Sequence, residues 1–237
     1  MAAYPFSYAN NISDGAGDQV SSFANTANRN GCNTPEIGYS AFVAPHRVIA
    51  AIGYTIKEGE HTATKLGLFY EGHHAGIYNG QYITRYSFLM NNVSGLTAPQ
   101  LMYIPTTEEL ASMPFSSEEN REAFEEFIAS DPYLSKHRGE YSKRNGGKAP
   151  WLNLINFRIS QEIYFNIAGR RQTLDVGLDL NNLANLLNPK WGALQVLDND
   201  EILQYKDNTY TYTSSKWALY NNISSTWQIL FHLRYSF

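Results

Sequence analysis

The sequence has one cysteine, Cys32, so it can form neither an intramolecular disulfide nor a multi-cysteine zinc site. Charge is scarce: Asp, Glu, Lys and Arg make up 17%, against about 25% in ordinary soluble domains. The net charge of -4 and a pI near 5.9 leave no basic stripe, which argues against a nucleic-acid partner. No run approaches the roughly 20 apolar residues of a spanning helix, and the mean hydropathy is -0.38. The first residues, Met1-Ala2-Ala3-Tyr4-Pro5-Phe6, have no basic n-region and no apolar h-region, so they are not a signal peptide. The expectation is a mature chain or a fragment of a longer one. What is abundant is aromatic: 14% of the 237 residues, led by 17 Tyr and 12 Phe. Many tyrosines, few charges and no long apolar run suit a β-protein whose strands alternate apolar and polar. A transmembrane barrel has that pattern, and so does a secreted aromatic-rich sandwich.

The C-terminus carries the clearest strand signal. Trp227, Ile229, Phe231, Leu233, Tyr235 and Phe237 alternate with Gln228, Leu230, His232, Arg234 and Ser236. Period-2 alternation of this length gives a strand with one apolar and one mostly polar face. About 9–11 residues cross a bilayer as a tilted strand. The pattern recurs. Leu174, Val176, Leu178 and Leu180 alternate with Asp175, Gly177, Asp179 and Asn181. Phe157, Ile159, Ile163 and Phe165 alternate with Arg158, Ser160, Glu162 and Tyr164. Val48, Ala50, Ile52, Tyr54 and Ile56 share a face, as do Leu66, Leu68 and Tyr70. Charges at alternate strand positions are costly in a dry core and normal beside a wet lumen.

Glu58-Gly59-Glu60, Ala168-Gly169-Arg170 and Asp207-Asn208 read as tight turns, separated by longer stretches near 13–45, 91–150 and 182–190. Counting back from the C-terminus gives eight strands, at about 2–11, 46–57, 62–90, 151–167, 171–181, 191–206, 209–221 and 224–237. In a barrel the three tight turns then share the periplasmic side. This parity requires 62–90 to be one long strand rather than a pair split near Gly72–Gly80. Within the longest loop, Ser116-Ser117-Glu118-Glu119 fits a capping box, and Ala123, Phe124, Phe127 and Ile128 fall on one helical face.

Chemical motifs are sparse. His73-His74 with Glu71 and His61 lacks ligand spacing and reads as loop-surface histidines. Gly146-Gly147-Lys148 fails as a phosphate loop because Ser142 stands where the first glycine belongs. No nucleophile elbow occurs. Asp198, Asp200 and Glu201 read as a solvated turn rather than a calcium loop. No catalytic, cofactor or metal residue is assigned, and the expectation is a non-enzyme.

Several short motifs, in order, carry a resemblance. They are Arg138-Gly139-Glu140-Tyr141, then Arg144-Asn145-Gly146 and Ala149-Pro150-Trp151. Asn182-Leu183-Ala184-Asn185-Leu186-Leu187-Asn188 with Lys190-Trp191-Gly192 follows, and the chain closes on Leu233-Arg234-Tyr235-Ser236-Phe237. Upstream stand Pro45-His46-Arg47-Val48, Phe69-Tyr70-Glu71-Gly72 and Tyr103-Ile104-Pro105. The set resembles the C-terminal part of TonB-dependent outer-membrane receptors of the Oar-like type, which carry a carboxypeptidase-regulatory-like N-terminal domain. The resemblance implies that residues 1–237 are part of a 22-stranded plugged barrel, with the plug and the remaining strands N-terminal to it. It further implies outer-membrane lipid around the barrel, TonB contact through the plug, and an imported ligand of unknown identity. Phe231, Leu233, Tyr235 and Phe237 would then be read by the barrel-assembly machinery. Where relatives carry an acidic loop, this chain has Asn91-Asn92-Val93-Ser94-Gly95-Leu96-Thr97, which lacks the carboxylates calcium needs, so no metal site is carried over. A self-contained small barrel or a secreted sandwich with a binding or adhesion role stays open.

Overall fold

A computed structural model describes residues 1–15, 26–30, 34–92 and 100–237. Cys32 and residues 93–97 lie outside the described residues. The protein is mostly β-strand, and its principal element is a six-stranded antiparallel sheet in chain order. The strands are β1 (Ala2–Ala3), β2 (Arg47–Lys57), β3 (Thr62–His74), β4 (Trp151–Ile167), β5 (Arg170–Asn181) and β6 (Gln228–Ser236). Two tight turns close one end. Gly59 takes φ +80° between β2 and β3, and Ala168 and Gly169 take φ +51° and +77° between β4 and β5. Two consecutive left-handed residues are the geometry of a two-residue hairpin that follows the strand twist.

β1 is short for a local reason. Pro5 has no N–H to give the ladder. Its carbonyl still accepts from Arg47 N (3.2 Å), and Phe6 bridges His46. The chain then leaves the sheet, and Asn10–Asn11 pairs with Gly38–Tyr39 instead.

At the opposite end β3 leads into residues 75–150 and β5 into 182–227, and these two excursions fold together into one layer. Two small mixed sheets join them. One pairs residues 89–92 in parallel with 201–206. The other pairs Ile77 in parallel with Val196. Helices α1 (Thr107–Ser112) and α2 (Glu118–Ser130) pack on this layer. The apolar core lies here rather than on the large sheet: Phe88, Met102, Ile104, Phe124, Ile128 and Leu134 are fully buried.

The expected eight strands therefore become six. Residues 191–206 and 209–221 do not enter the large sheet, because β5 pairs directly with β6 from Thr173↔Ser236 to Asn181↔Gln228. The stretch 62–90 is not one strand. β3 ends at His74, and Asn79 and Gly80, at φ +46° and +73°, turn a small hairpin between Gly76–Tyr78 and Gln81–Ile83. The Asp207-Asn208 turn lies in the loop layer, at the end of the sheet opposite the other two turns. The three tight turns thus do not share one side; the strand directions within the large sheet are unchanged because none of these segments belongs to it. The long helix starts one residue later than expected: Ser117 caps it by accepting from Asn120 N, and Ala123 is exposed. The reciprocal capping box sits on α1, between Thr106 and Glu109.

Candidate functional site

The register of the large sheet sorts its side chains by polarity. Ile52 pairs with Leu68, Leu68 with Phe157, Phe157 with Leu180 and Leu180 with Ile229. Further down, Tyr54, Leu66, Ile159, Leu178 and Phe231 form a second row. Val176 pairs with Leu233 and Leu174 with Tyr235. Since neighbours in register share a face, five strands build one continuous apolar surface. Among the described residues nothing covers it: Ile52 is 69% exposed, Phe231 68% and Leu233 64%. The one polar pair on it satisfies itself, Thr64 Oγ1 donating to Gln161 Oε1 at 2.5 Å.

Aromatic groups border this surface at both ends. Toward the loop layer, Tyr70 OH and Trp151 Nε1 both donate to Asn153 Oδ1 (2.7 and 3.1 Å), and His74 meets Trp151 edge-on at 5.0 Å. Toward the turns, Phe165 stacks on Tyr235 and Tyr235 lies against Phe237. Phe231, Leu233 and Tyr235 thus stand in the apolar rows, and Phe237 extends the same alternation, 92% exposed.

The other face collects the charge. Arg158 lies 3.5 Å from Asp179 and 4.0 Å from Asp175. His232 stands between the same two carboxylates, at 3.6 Å from Asp175 and 3.4 Å from Asp179, and 3.1 Å from Arg158. Lys65 pairs with Glu162 at 2.6 Å and Arg47 with Glu71 at 2.6 Å. The sequence marks these positions as polar, but their joining into one network depends on register across β4, β5 and β6.

The histidines also find new places. His73 and His74 are consecutive residues at the end of β3, so they point to opposite faces rather than lying in a surface loop. His73 lies 3.3 Å from Glu71 and bonds Tyr82 OH, while His74 Nδ1 bonds Ala149 O. Among the described residues no cluster of His, Cys, Asp or Glu is arranged to hold a metal. In the acidic turn, Asp200 is not solvated as expected. Tyr78 OH donates to it at 2.5 Å, and burial pushes its carboxyl above the usual range.

The motif residues act as fasteners of the loop layer. Arg138 grips Glu125 through two bonds (2.6 and 3.0 Å) and also donates to Pro105 O. Gly139, at φ +81°, donates to Ile104 O. Arg144 binds the N-terminal segment: its guanidinium donates to the carbonyls of Asn11, Ile12 and Glu36 and to Asn11 Oδ1. Asn145 donates to Asp14 Oδ2 (2.6 Å) and Tyr39 O (2.7 Å). A Cβ on Gly146 would meet the Tyr133 ring at 2.6 Å. Pro150 O accepts from Ala75 N. Asn185 donates to Pro189 O and Trp191 O and accepts from Trp227 N, tying the start of β6 to the loop. Asn188 accepts from Lys190 N, and Gly192 O accepts from Asn182 Nδ2. Leu186, Leu187 and Trp191 are exposed, Leu187 most of all at 72%. Asp14, the anion of the Asn145 clip, carries no sequence signal beyond its place in Ser13-Asp14-Gly15.

No protein-family model matches the chain, and neither a curated protein nor a solved structure matches it.

Proposed function

We propose that the chain is part of the wall and the external loop layer of a transmembrane β-barrel in a Gram-negative outer membrane, with no catalytic role. One observation carries this reading: the register that gathers apolar side chains of five strands on one uncovered face and the charges on the other. In water such a face is an aggregation surface; against lipid it is the expected exterior of a barrel, with the charged face toward a wet lumen. The dimensions agree. From Ile155 to Phe165 the band runs roughly 33 Å along β4 at about 3.3 Å per residue. With a tilt of about 40° that is roughly 25 Å along the membrane normal, the height of the apolar band in such barrels. The aromatic groups then lie where interfacial girdles belong.

Within that class we read the chain as a segment of a TonB-dependent receptor of the Oar-like type, which imports an unidentified ligand. The ordered motifs support this. A bilayer leaves no backbone group unpaired, so the wall must close. The outer edges of β1 and β6 therefore need further strands, which the resemblance assigns to sequence N-terminal to these residues. Plug and TonB contact belong there too, so these 237 residues alone would not transport. The test is extraction of the complete gene product from cell envelopes. Retention through alkaline and urea washes, with release only by detergent, is expected. Release as a water-soluble species would instead favour a secreted sandwich with an adhesion role.

A further inference from the structure

Directly beyond Trp151 and His74, at the loop-layer end of the apolar face, lies a cleft of about 590 Å³. Aromatic stacking braces its walls. Tyr133 stacks on buried Phe88 (5.8 Å, 7° between planes), and His137 stacks on Tyr133 at 4.2 Å. The Tyr133 hydroxyl is fixed by Lys143 N at 2.8 Å. Three permanent cations, Arg85, Lys136 and Lys148, line the cleft against one carboxylate, Asp131.

Arg121 and Arg138 are paired with glutamates. Among the described residues no carboxylate comes within ion-pairing distance of Arg85, Lys136 or Lys148. Arg85 is held over the Tyr39 ring at 4.4 Å and donates to Asn145 O. Asp131 is already engaged, accepting through one oxygen from the amides of Tyr133 and Leu134. The cleft therefore holds three cations against one carboxylate, an excess of positive charge.

Its location gives that charge a use. Trp151 and His74 lie on the apolar face by register and also line the cleft. Moving along that face, one passes from aliphatic rows to a Tyr70–Trp151–His74 band and then to unpaired cations. That order matches the profile of a membrane leaflet, from acyl chains through the interface to anionic headgroups. We propose that this cleft binds the phosphate of an outer-leaflet lipid whose acyl chains lie on the apolar face. The inference rests on the barrel reading above.

The test uses the complete gene product in non-ionic micelles, with diphosphorylated lipid A as probe and its dephosphorylated form as control. Wild-type protein should bind the phosphorylated form preferentially, and binding should weaken with salt. Lys136→Gln combined with Lys148→Gln should weaken binding by roughly twenty-five-fold, taking each surface cation as about a five-fold contribution. Both side chains are exposed, so heat-modifiable folding should be unchanged. Equal binding by wild type and variant would overturn the proposal, as would full displacement by millimolar inorganic phosphate, which would mark a site for a free anion. If wild-type protein stays soluble without detergent and ignores vesicles, the barrel reading fails and this site fails with it.

Discussion

Leu178 and Leu230 provide a matched pair of positions on neighbouring strands and opposite faces. Leu178 sits on the apolar face between Ile159 and Phe231 and is 40% exposed. Leu230 pairs with Asp179 on the charged face and is 48% exposed. The same change, Leu→Arg, is made at each. If the apolar face meets hydrocarbon, Leu178→Arg puts a guanidinium near the bilayer midplane at a cost of about 2–4 kcal/mol. That is roughly a thirty- to thousand-fold loss in the folding equilibrium. Leu230→Arg places its charge beside Asp179 in water and should stay within about 0.5 kcal/mol of wild type. In a water-soluble sheet, both half-exposed positions would tolerate arginine within about that margin. The assay is a denaturant titration of the complete gene product into lipid vesicles, read by tryptophan fluorescence and electrophoretic heat-modifiability. Near-equal effects at the two sites, or a larger loss for Leu230→Arg, would refute the reasoning.

Phe237→Ala should lower the yield of folded protein in the outer membrane, because it removes the last ring of the terminal alternation; unchanged heat-modifiable protein in the membrane fraction would argue against an assembly role. Arg144→Ala removes a charged donor with four partners. It should loosen the N-terminal segment by about 2–3 kcal/mol, seen as faster hydrogen exchange at residues 36–41 with β3 and β4 unaffected. Burial raises the carboxyl of Asp200 above its unfolded value. The folded state thus binds its proton more tightly, so this group's contribution is greatest in acid and declines as pH rises through the carboxylate range. Asp200→Asn keeps an acceptor for Tyr78 OH and should flatten that component, measured as loop-layer exchange between pH 4 and 7.

The face of each long strand was readable from the sequence. Alternation along 151–167, 171–181 and 227–237 gave the correct partition, because a period of two is local and the strands are long enough to express it. Which sheet a strand joins is not local. Residues 191–206 read as a strand of the large sheet, yet Val196 pairs with Ile77 and 201–205 with 89–92, more than 100 positions earlier. Asn79-Gly80 is a strong hairpin signal, and it marks the turn that divides 62–90. Neither error changed the direction of another strand: the merged segment still counts once, and the two extra strands add an even number. The motif residues could be picked out, but their work could not. Arg144 holds Asn11 and Ile12 across 133 and 132 positions, and no spacing rule reports a contact of that range. The unpaired cations of the cleft were hidden for the same reason, since Arg85, Lys136 and Lys148 come from three separate segments.

The central claim is that β6 turns one face to lipid and the other to water. Nitroxide labels, introduced one at a time from 228 to 236 in a Cys32→Ser background, measure this directly in vesicles. Electron paramagnetic resonance should find oxygen-accessible labels at Ile229, Phe231, Leu233 and Tyr235. Labels at Gln228, Leu230, His232 and Arg234 should be accessible to a water-soluble nickel complex. Nickel accessibility at all nine positions, or an alternation of the opposite phase, would contradict the account.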